Sequence, residues 1–381
     1  MHRDLGCLSL NRGIAFVGPL PPPTHGFSNI CAQMLERLQV RSKVKVYDRA
    51  PRASNVAVRT WLQILRPGQY FAWCIRHPKS PLYLALSGGS GQVFDCLYVI
   101  VARLLSRRIF IHHHSFAYLN QPTWLNRMIF ALLRQETHIV LSRGMGTVLA
   151  ETYKINPNKV KVVSNAAFYP LVKSSQPRDS ADAAPVSVGF LSNITLEKGI
   201  VEFFAVLTAL QHRGVPHKAV IAGPVSAEAR PTLERLMSET ATADYVGAVY
   251  GDAKENFYER LDFFLFPTKY VNEAEPLVIH EALRSGACVL ACERGAIAEM
   301  LGNGAGFVYA QDSFVAGAAQ QITLLARDRH ALTRSRRLSI EQASRMSKSA
   351  QLELAALLDD MSGNVPGNSG AAQNAPDSPS A

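Results

Sequence analysis

The sequence predicts an α/β protein of two Rossmann-like domains whose parallel sheets face a central cleft. Three observations carry this. The chain's 381 residues suffice for two ordinary domains, short β-rich runs alternate with helical stretches, and one polar stretch interrupts the alternation before it restarts. With 48% hydrophobic residues there is apolar surface for two cores, which excludes a disordered or fibrous chain.

Strands are expected at Ile14–Val17, Val44–Tyr47, Leu82–Leu86, Arg108–His112, Thr137–Leu141 and Val160–Val163, each a short β-rich run bounded by turn residues or helical pattern. Between them lie helical stretches such as Asn29–Leu38, with Ile30, Met34, Leu35 and Leu38 on one face. These make an N-terminal domain of residues 1–172. The polar linker is 173–184, and the pattern resumes at Val186–Leu191, Ala219–Ala222, Tyr245–Val249, Phe263–Phe266 and Cys288–Ala291, giving a C-terminal domain of residues 185–345. A final helix is expected over 346–361, around Leu352–Leu358. Residues 362–381, rich in Gly, Asn, Ser, Pro and Ala, are expected to be a disordered tail.

Charge divides unevenly. Residues 1–175 carry 22 Lys/Arg against 6 Asp/Glu, and residues 176–381 carry 18 against 24. A basic first half suits nucleic acid, an anionic membrane surface or an acidic substrate, and no recognised nucleic-acid module is present. The six cysteines, Cys7, Cys31, Cys74, Cys96, Cys288 and Cys292, lack paired metal-ligand spacing and read as reduced, buried thiols. No secretion signal is apparent at the N-terminus, and the longest apolar stretch, Leu97 to Leu105, is well short of the ~20 residues that span a bilayer.

The most informative segment is Glu273-Ala274-Glu275-Pro276-Leu277-Val278-Ile279-His280-Glu281, two carboxylates with seven residues between them at a helix start. Pro276 suits the first helical turn and leaves the amides of Leu277 and Val278 free at the N-terminus, a cradle for phosphate. Glu273 in the loop and Glu281 inside the helix would flank a bound anion as acceptors suited to sugar hydroxyls, whereas Glu275 reads as a bystander. Such acids also suit the positive end of any helix dipole.

Two further segments sit after first strands: Gly18-Pro19-Leu20-Pro21-Pro22-Pro23-Thr24-His25-Gly26-Phe27-Ser28, and Glu197-Lys198-Gly199. Ser28 reads as a helix N-cap. Together with Glu273 to Glu281, preceded by Phe266-Pro267-Thr268 and followed by Ala282-Leu283 and Gly286, they resemble family 4 of the retaining glycosyltransferases, which have the GT-B fold. The resemblance covers nearly all of residues 12–345.

The resemblance implies residue roles. Lys198 matches the lysine that neutralises the donor diphosphate, Glu281 the carboxylate that holds the nucleotide ribose, and Glu273 the one that faces the donor sugar. Gly26 matches a first-loop glycine whose backbone approaches the phosphates and acceptor, or it is a plain turn glycine. His112-His113-His114-Ser115 lies at a strand C-terminus, and alternation points His112 and His114 to one face. Family members commonly have a histidine here that reaches the transferred sugar, and His114 is the first choice and His112 the second. Three consecutive histidines cannot easily share one metal ion. Asn165 matches a hinge-side asparagine that could touch substrate, or it is a turn residue. One departure is Asn193, where the family often has an arginine; Asn193 is still expected to bind the donor, by a hydrogen bond but without charge. The charge must then fall on Lys198, the helix N-terminus, and Arg143 or Lys269.

The implied reaction moves a hexosyl unit from a UDP- or GDP-sugar to an acceptor hydroxyl with retention, by a front-face route that needs no protein nucleophile. No cofactor or metal is expected, since the chain has no Asp-x-Asp. The acceptor is expected to be a glycan or lipid-linked precursor of cell-surface polysaccharide, and the protein to be cytoplasmic, with peripheral attachment to the inner face of the cytoplasmic membrane as a hypothesis. Trp61, Leu62, Ile64, Leu65, Tyr70, Phe71, Trp73 and Ile75 mix with Arg59, Arg66 and Arg76, a composition for a membrane interface or for core, with Pro67-Gly68 breaking any single helix. The alternatives are a GT-B epimerase or phosphorylase, and a non-catalytic nucleotide-sugar-binding scaffold.

Overall fold

The structure, a computed structural model, describes residues 13–50, 55–170, 184–302 and 304–363. Cys7, the expected linker except Ala184, and tail residues 364–381 lie outside them.

The first half runs β1 (Ile14–Gly18), α1 (Gly26–Arg41), β2 (Val44–Asp48), α2 (Val56–Arg76), β3 (Leu82–Leu86), α3 (Gln92–Leu104), β4 (Ile109–His113), α4 (Ala117–Asn120), α5 (Trp124–Leu133), β5 (Thr137–Val140), α6 (Arg143–Tyr153) and β6 (Val160–Val162). The second runs β7 (Val186–Leu191), α7 (Ile200–His212), β8 (His217–Ala222), α8 (Arg230–Glu239), β9 (Ala243–Tyr245), α9 (Asp252–Glu259), β10 (Phe263–Phe266), α10 (Leu277–Arg284), β11 (Cys288–Cys292), α11 (Ile297–Met300), β12 (Gly306–Tyr309), α12 (Phe314–Arg327) and α13 (Arg329–Ser362).

Among the described residues these strands form two six-stranded sheets, ordered β2-β1-β3-β4-β5-β6 and β12-β11-β10-β7-β8-β9. All neighbours are parallel. Strand order reverses between β1 and β3 in the first sheet and between β7 and β10 in the second. Doubly wound sheets bind ligands at these reversals, outside the strand C-terminal ends. The central strands β1, β3, β4, β10 and β11 are buried throughout, which explains why they read as unbroken apolar runs and not as alternation.

Several expectations need correction. β9 occupies Ala243–Tyr245 and not Tyr245–Val249: Gly247, at φ +79°, turns the chain away after Val246 donates to the Ile221 carbonyl. Ser28 is not the cap of α1. His25 is, with Nδ1 accepting from the Ser28 amide at 3.2 Å while Ser28 Oγ accepts from the His25 amide at 3.1 Å, a reciprocal capping box. Pro276 precedes α10 as its N-cap. Pro67 does not divide α2, which continues through it. The strand β12 was not anticipated.

The helix expected over 346–361 is the second part of α13, which is 34 residues long. Its first turns pack on the C-terminal domain and its last turns, through Ala350, Leu354, Leu357, Leu358 and Met361, join α1 and one face of the N-terminal sheet. Arg108 Nη2 meets Asp360 at 2.6 Å near its end. Four free cysteines, Cys31, Cys74, Cys288 and Cys292, are buried in the cores and Cys96 is partly so.

At the other end of α13, buried Arg336 donates from Nη1 to Asp262 at 3.1 Å and from Nε to the Gly286 carbonyl at 3.2 Å. Arg336→Leu removes the cation from a buried carboxylate and is expected to lower unfolding free energy by about 3–5 kcal/mol in urea titrations. A loss below about 1 kcal/mol would show that the pair does not secure the helix.

Candidate active site

At the β7/β10 reversal two loops meet. Thr195 caps a short 3-10 turn, Leu196–Lys198, by accepting from the Lys198 amide, and Gly199 then enters α7 at φ +86°. A Cβ on Gly199 would lie 2.0 Å from the Pro267 carbonyl oxygen, so only glycine lets the turn rest on the loop after β10. Lys269 N donates to the Glu197 carbonyl at 2.7 Å and fixes the contact. The result puts Lys198 Nζ 2.5 Å from Glu273 Oε2, over the Tyr270 ring at 4.8 Å. Both side chains keep some exposure, at 21% and 13%.

Glu273 is held from below as well. Gly295, at φ +49°, lies so close that a Cβ would meet the Glu273 carbonyl at 2.3 Å, and Ala296 N donates to the Ala274 carbonyl at 2.8 Å. Past Pro276, α10 begins at Leu277 and Val278, whose amides open the helix. Gly26, first residue of α1, faces this tip from the other domain: a Cβ there would touch Leu277 Cδ1 at 3.6 Å, an ordinary contact. Glu281 is more engaged than expected. It accepts from Lys254 Nζ at 2.7 Å and from the hydroxyls of Tyr258 and Tyr169, both at 3.1 Å, leaving about one of its four lone-pair positions open. Their burial, and then its charge, push both phenols well above their ordinary range.

His112 and His114 share a face, with ring centroids 4.0 Å apart, and His114 packs against Phe27, beside Gly26, with centroids 4.8 Å apart and the rings tilted at 41°. His112 Nδ1 meets the Tyr83 hydroxyl at 2.7 Å, while Nε2 of each ring is buried without a hydrogen-bond partner. His113 points the opposite way. Its Nδ1 meets the Tyr118 hydroxyl at 2.7 Å and its Nε2 meets His138 Nδ1 at 3.0 Å. Among the described residues no group of three His, Cys, Asp or Glu side chains could hold a metal ion.

Glu275 is not a bystander. Its nearly fully buried carboxylate accepts from Ser164 Oγ, from Asn165 N at 2.7 Å and from His280 Nε2 at 3.0 Å, joining the two domains. Asn165 is committed to this joint, its Nδ2 donating to the Glu275 carbonyl at 3.1 Å and its Oδ1 buried. Asn193 is exposed in the loop after β7. The other proposed cations are placed elsewhere: Lys269 pairs with Glu202 at 2.8 Å, and the Arg143 amide donates to Glu299 across the joint. Sequence reasoning missed Tyr169, Lys254, Tyr258 and the role of Glu275. Glu275 and Asn165 are 110 positions apart, and no local pattern links them.

Solved structures with this arrangement of two sheets are known. Anabaena HepE in complex with UDP superposes with a TM-score of 0.72 at 15% identity, covering 92% of this chain and 100% of that one. Sucrose-phosphate synthase from Thermosynechococcus elongatus gives 0.67 at 13%, covering 93% and 100%. The lipopolysaccharide outer core galactosyltransferase WaaB in its apo form gives 0.65 at 13%, covering 88% and 99%. The fold is GT-B. Residues 185–328 match the family model described as Glycosyl transferases group 1. No curated protein sequence matches the chain.

This group 1 region begins just before β7 and ends at Asp328, the N-cap of α13. Lys198, Glu273, the tip of α10 and Glu281 all lie inside it, whereas Gly26 and the histidines belong to the other half of the GT-B fold. Those histidines are electrically neutral at pH 7. Burial brings His138 down to about 4 and His114 to about 3, and burial with neighbouring imidazoles holds His112 and His113 well below 6.5. The unfolded chain takes up these protons near pH 6.5 and the folded chain refuses them. Stability from this source is therefore complete above that pH and falls as pH drops toward about 4, by up to about 1.4 kcal/mol per pH unit for each histidine. Urea unfolding between pH 7.5 and 5 is expected to show the loss, with a shallower slope in His138→Asn. Equal slopes in the two proteins would contradict it.

Proposed function

We propose that the protein is a retaining glycosyltransferase of the family 4 kind, moving a hexosyl unit from a nucleoside-diphosphate sugar to an acceptor hydroxyl. The observation that carries this is the meeting of Lys198, Glu273 and the open amides of α10 at the strand-order reversal of the C-terminal sheet. The donor diphosphate lies on those amides with its charge on Lys198. Glu273 accepts from a hydroxyl of the sugar, and Glu281 accepts from the ribose at the position its three protein donors leave open.

In the transfer, the bond from the anomeric carbon to the diphosphate oxygen breaks while the acceptor oxygen bonds the same face of that carbon. The acceptor proton passes to the departing diphosphate. Negative charge grows on the leaving group in the transition state, so a fixed ammonium there accelerates the step itself. His114, being neutral, serves the sugar as a hydrogen-bond partner and not as a cation.

UDP-sugars are the first donors to test, because HepE is solved with UDP and with UDP-glucose; GDP-sugars are the second. We read the acceptor as a glycan or lipid-linked precursor of cell-surface polysaccharide, used on the cytoplasmic side. No helix among the described residues is long and apolar enough to cross a membrane.

Lys198→Ala is expected to lower kcat/KM by about 10²–10³, the usual result of deleting one preorganised charge-stabilising donor. Release of free nucleoside diphosphate, with and without acceptor, checks this. Release that needs no acceptor and is accompanied by an altered sugar would instead indicate an epimerase, and no calorimetric binding of any donor would indicate a scaffold.

Gly26→Ala separates fold from function. The site has room for a methyl group and Gly26 begins a helix, so unfolding free energy is expected to hold or rise by about 0.4–1 kcal/mol. Transfer is expected to fall, because the methyl group enters the space between α1 and the tip of α10 that the donor needs. Unchanged kcat/KM would remove Gly26 from the site.

A further inference from the structure

We infer that the outward faces of α2, α3 and α5 form one docking surface for an anionic lipid bilayer. The inference goes beyond the transfer reaction and does not depend on it.

The three helices cover the same side of the N-terminal sheet, with α3 in contact with both neighbours. Their inward residues, among them Tyr70, Tyr98 and Phe130, make the core beneath. Their outward residues should then be polar, as on an ordinary solvated helix. They are not. On α2, Trp61, Ile64, Leu65 and Ile75 fall on one helical stripe and are all exposed, Trp61 by 60%. The core reading of this segment thus holds for Tyr70, while its neighbours at the other angle have no cover. On α3, Ile100 and Leu104 are exposed, and on α5, Trp124 and Met128, with Leu104 at 74% and Trp124 at 72%. Three adjacent helices with apolar outer faces exceed the scattered exposure normal for a soluble surface.

The charge around the patch selects the partner. Residues 56–136 hold nine Lys/Arg against two Asp/Glu, Asp95 and Glu136. Asp95 is buried against Arg49, and Glu136 is taken by Arg103 at 2.5 Å. Arg76 at the end of α2 and Lys79 just past it, and Arg127 and Arg134 on and after α5, are exposed at the edges of the apolar face. An apolar strip with two indoles, edged by cations and without a free exposed carboxylate among the described residues there, matches a layer whose interior is hydrocarbon and whose headgroups are negative. A protein partner of mixed charge gives no reason for the missing acids. Indoles favour the boundary between acyl chains and headgroups, and two of the chain's three tryptophans lie on this face.

The test uses the full chain, with vesicles of phosphatidylcholine alone or with phosphatidylglycerol added. Co-sedimentation with the anionic vesicles is expected, weakening at high salt, together with quenching of tryptophan fluorescence by bromine-labelled acyl chains. The double substitution Trp61→Ser and Trp124→Ser is expected to cut binding about tenfold or more while leaving thermal unfolding and donor binding in place. Equal, weak binding to both vesicle types overturns the inference, as does undiminished binding of the double variant. Self-association in sedimentation velocity that the same substitutions abolish would assign the face to a second copy of the chain. Should the variant fail to fold, bromolipid quenching of the unaltered protein decides, and its absence overturns the inference.

Discussion

The close approach of the loops after β7 and β10 is the constraint on which the site depends. A side chain at Gly199 would separate them, and Lys198 would lose the one position from which it reaches Glu273. The Lys198 ammonium and the Glu273 carboxylate lie 2.5 Å apart as an ion pair. A diphosphate brings more negative charge than one carboxylate, and in the cleft it competes for the same ammonium. On the reading proposed above, donor binding draws Lys198 from Glu273 and frees the carboxylate for a sugar hydroxyl. Phosphate recognition and sugar recognition are then linked through one exchange.

The same segment also joins the domains. Glu273 faces the cleft, whereas Glu275, two residues on, is buried among donors from both halves of the chain. Its partner His280 lies on α10, so the helix tip proposed above to receive the diphosphate is tied to Ser164 and Asn165 of the opposite domain. Leaving those donors unpaired in a buried place costs about 1–3 kcal/mol each. The cradle, the pair and the joint are therefore one structure, and α13 supports it by packing on both domains.

Most of the fold was legible because parallel central strands are apolar throughout and helices carry a 3.6-residue stripe. The failures have local causes. Tyr245–Val249 has β-rich composition, but the left-handed turn at Gly247 decides where pairing stops. Ser28 has the right chemistry for a cap and sits three residues inside the capping box that His25 begins. Pro67 usually ends a helix, yet here tertiary contacts at buried Pro67 and Tyr70 hold α2 together across the missing donor. In the site, Lys198, Glu273 and the α10 tip could be read because each belongs to a short run with its own chemistry. Tyr169, Lys254 and Tyr258 could not, since nothing near them in sequence indicates that they converge on Glu281.

The two faces of α2 connect the surface to the chemistry. While its outer stripe is apolar, its inner side contributes Thr60 and Gln63 to a cavity of about 460 Å³ that also includes His25, Phe27, Arg49 and Ser87. That cavity lies beyond the C-terminal ends of β1 and β3, at the strand-order reversal of the first sheet, and it shares His25 and Phe27 with the capped start of α1 beside Gly26. Gln63 Oε1 is buried there without a hydrogen-bond partner, a cost a folded chain carries where a ligand or water supplies the donor. A helix lying on a bilayer would thus hold one side against lipid while the other lines a chamber of mixed polar and aromatic character at the edge of the cleft. On the function proposed above, an acceptor on a lipid carrier would use that arrangement: its chain would stay in hydrocarbon while its headgroup passed one helix thickness inward, ~10 Å, toward the cleft.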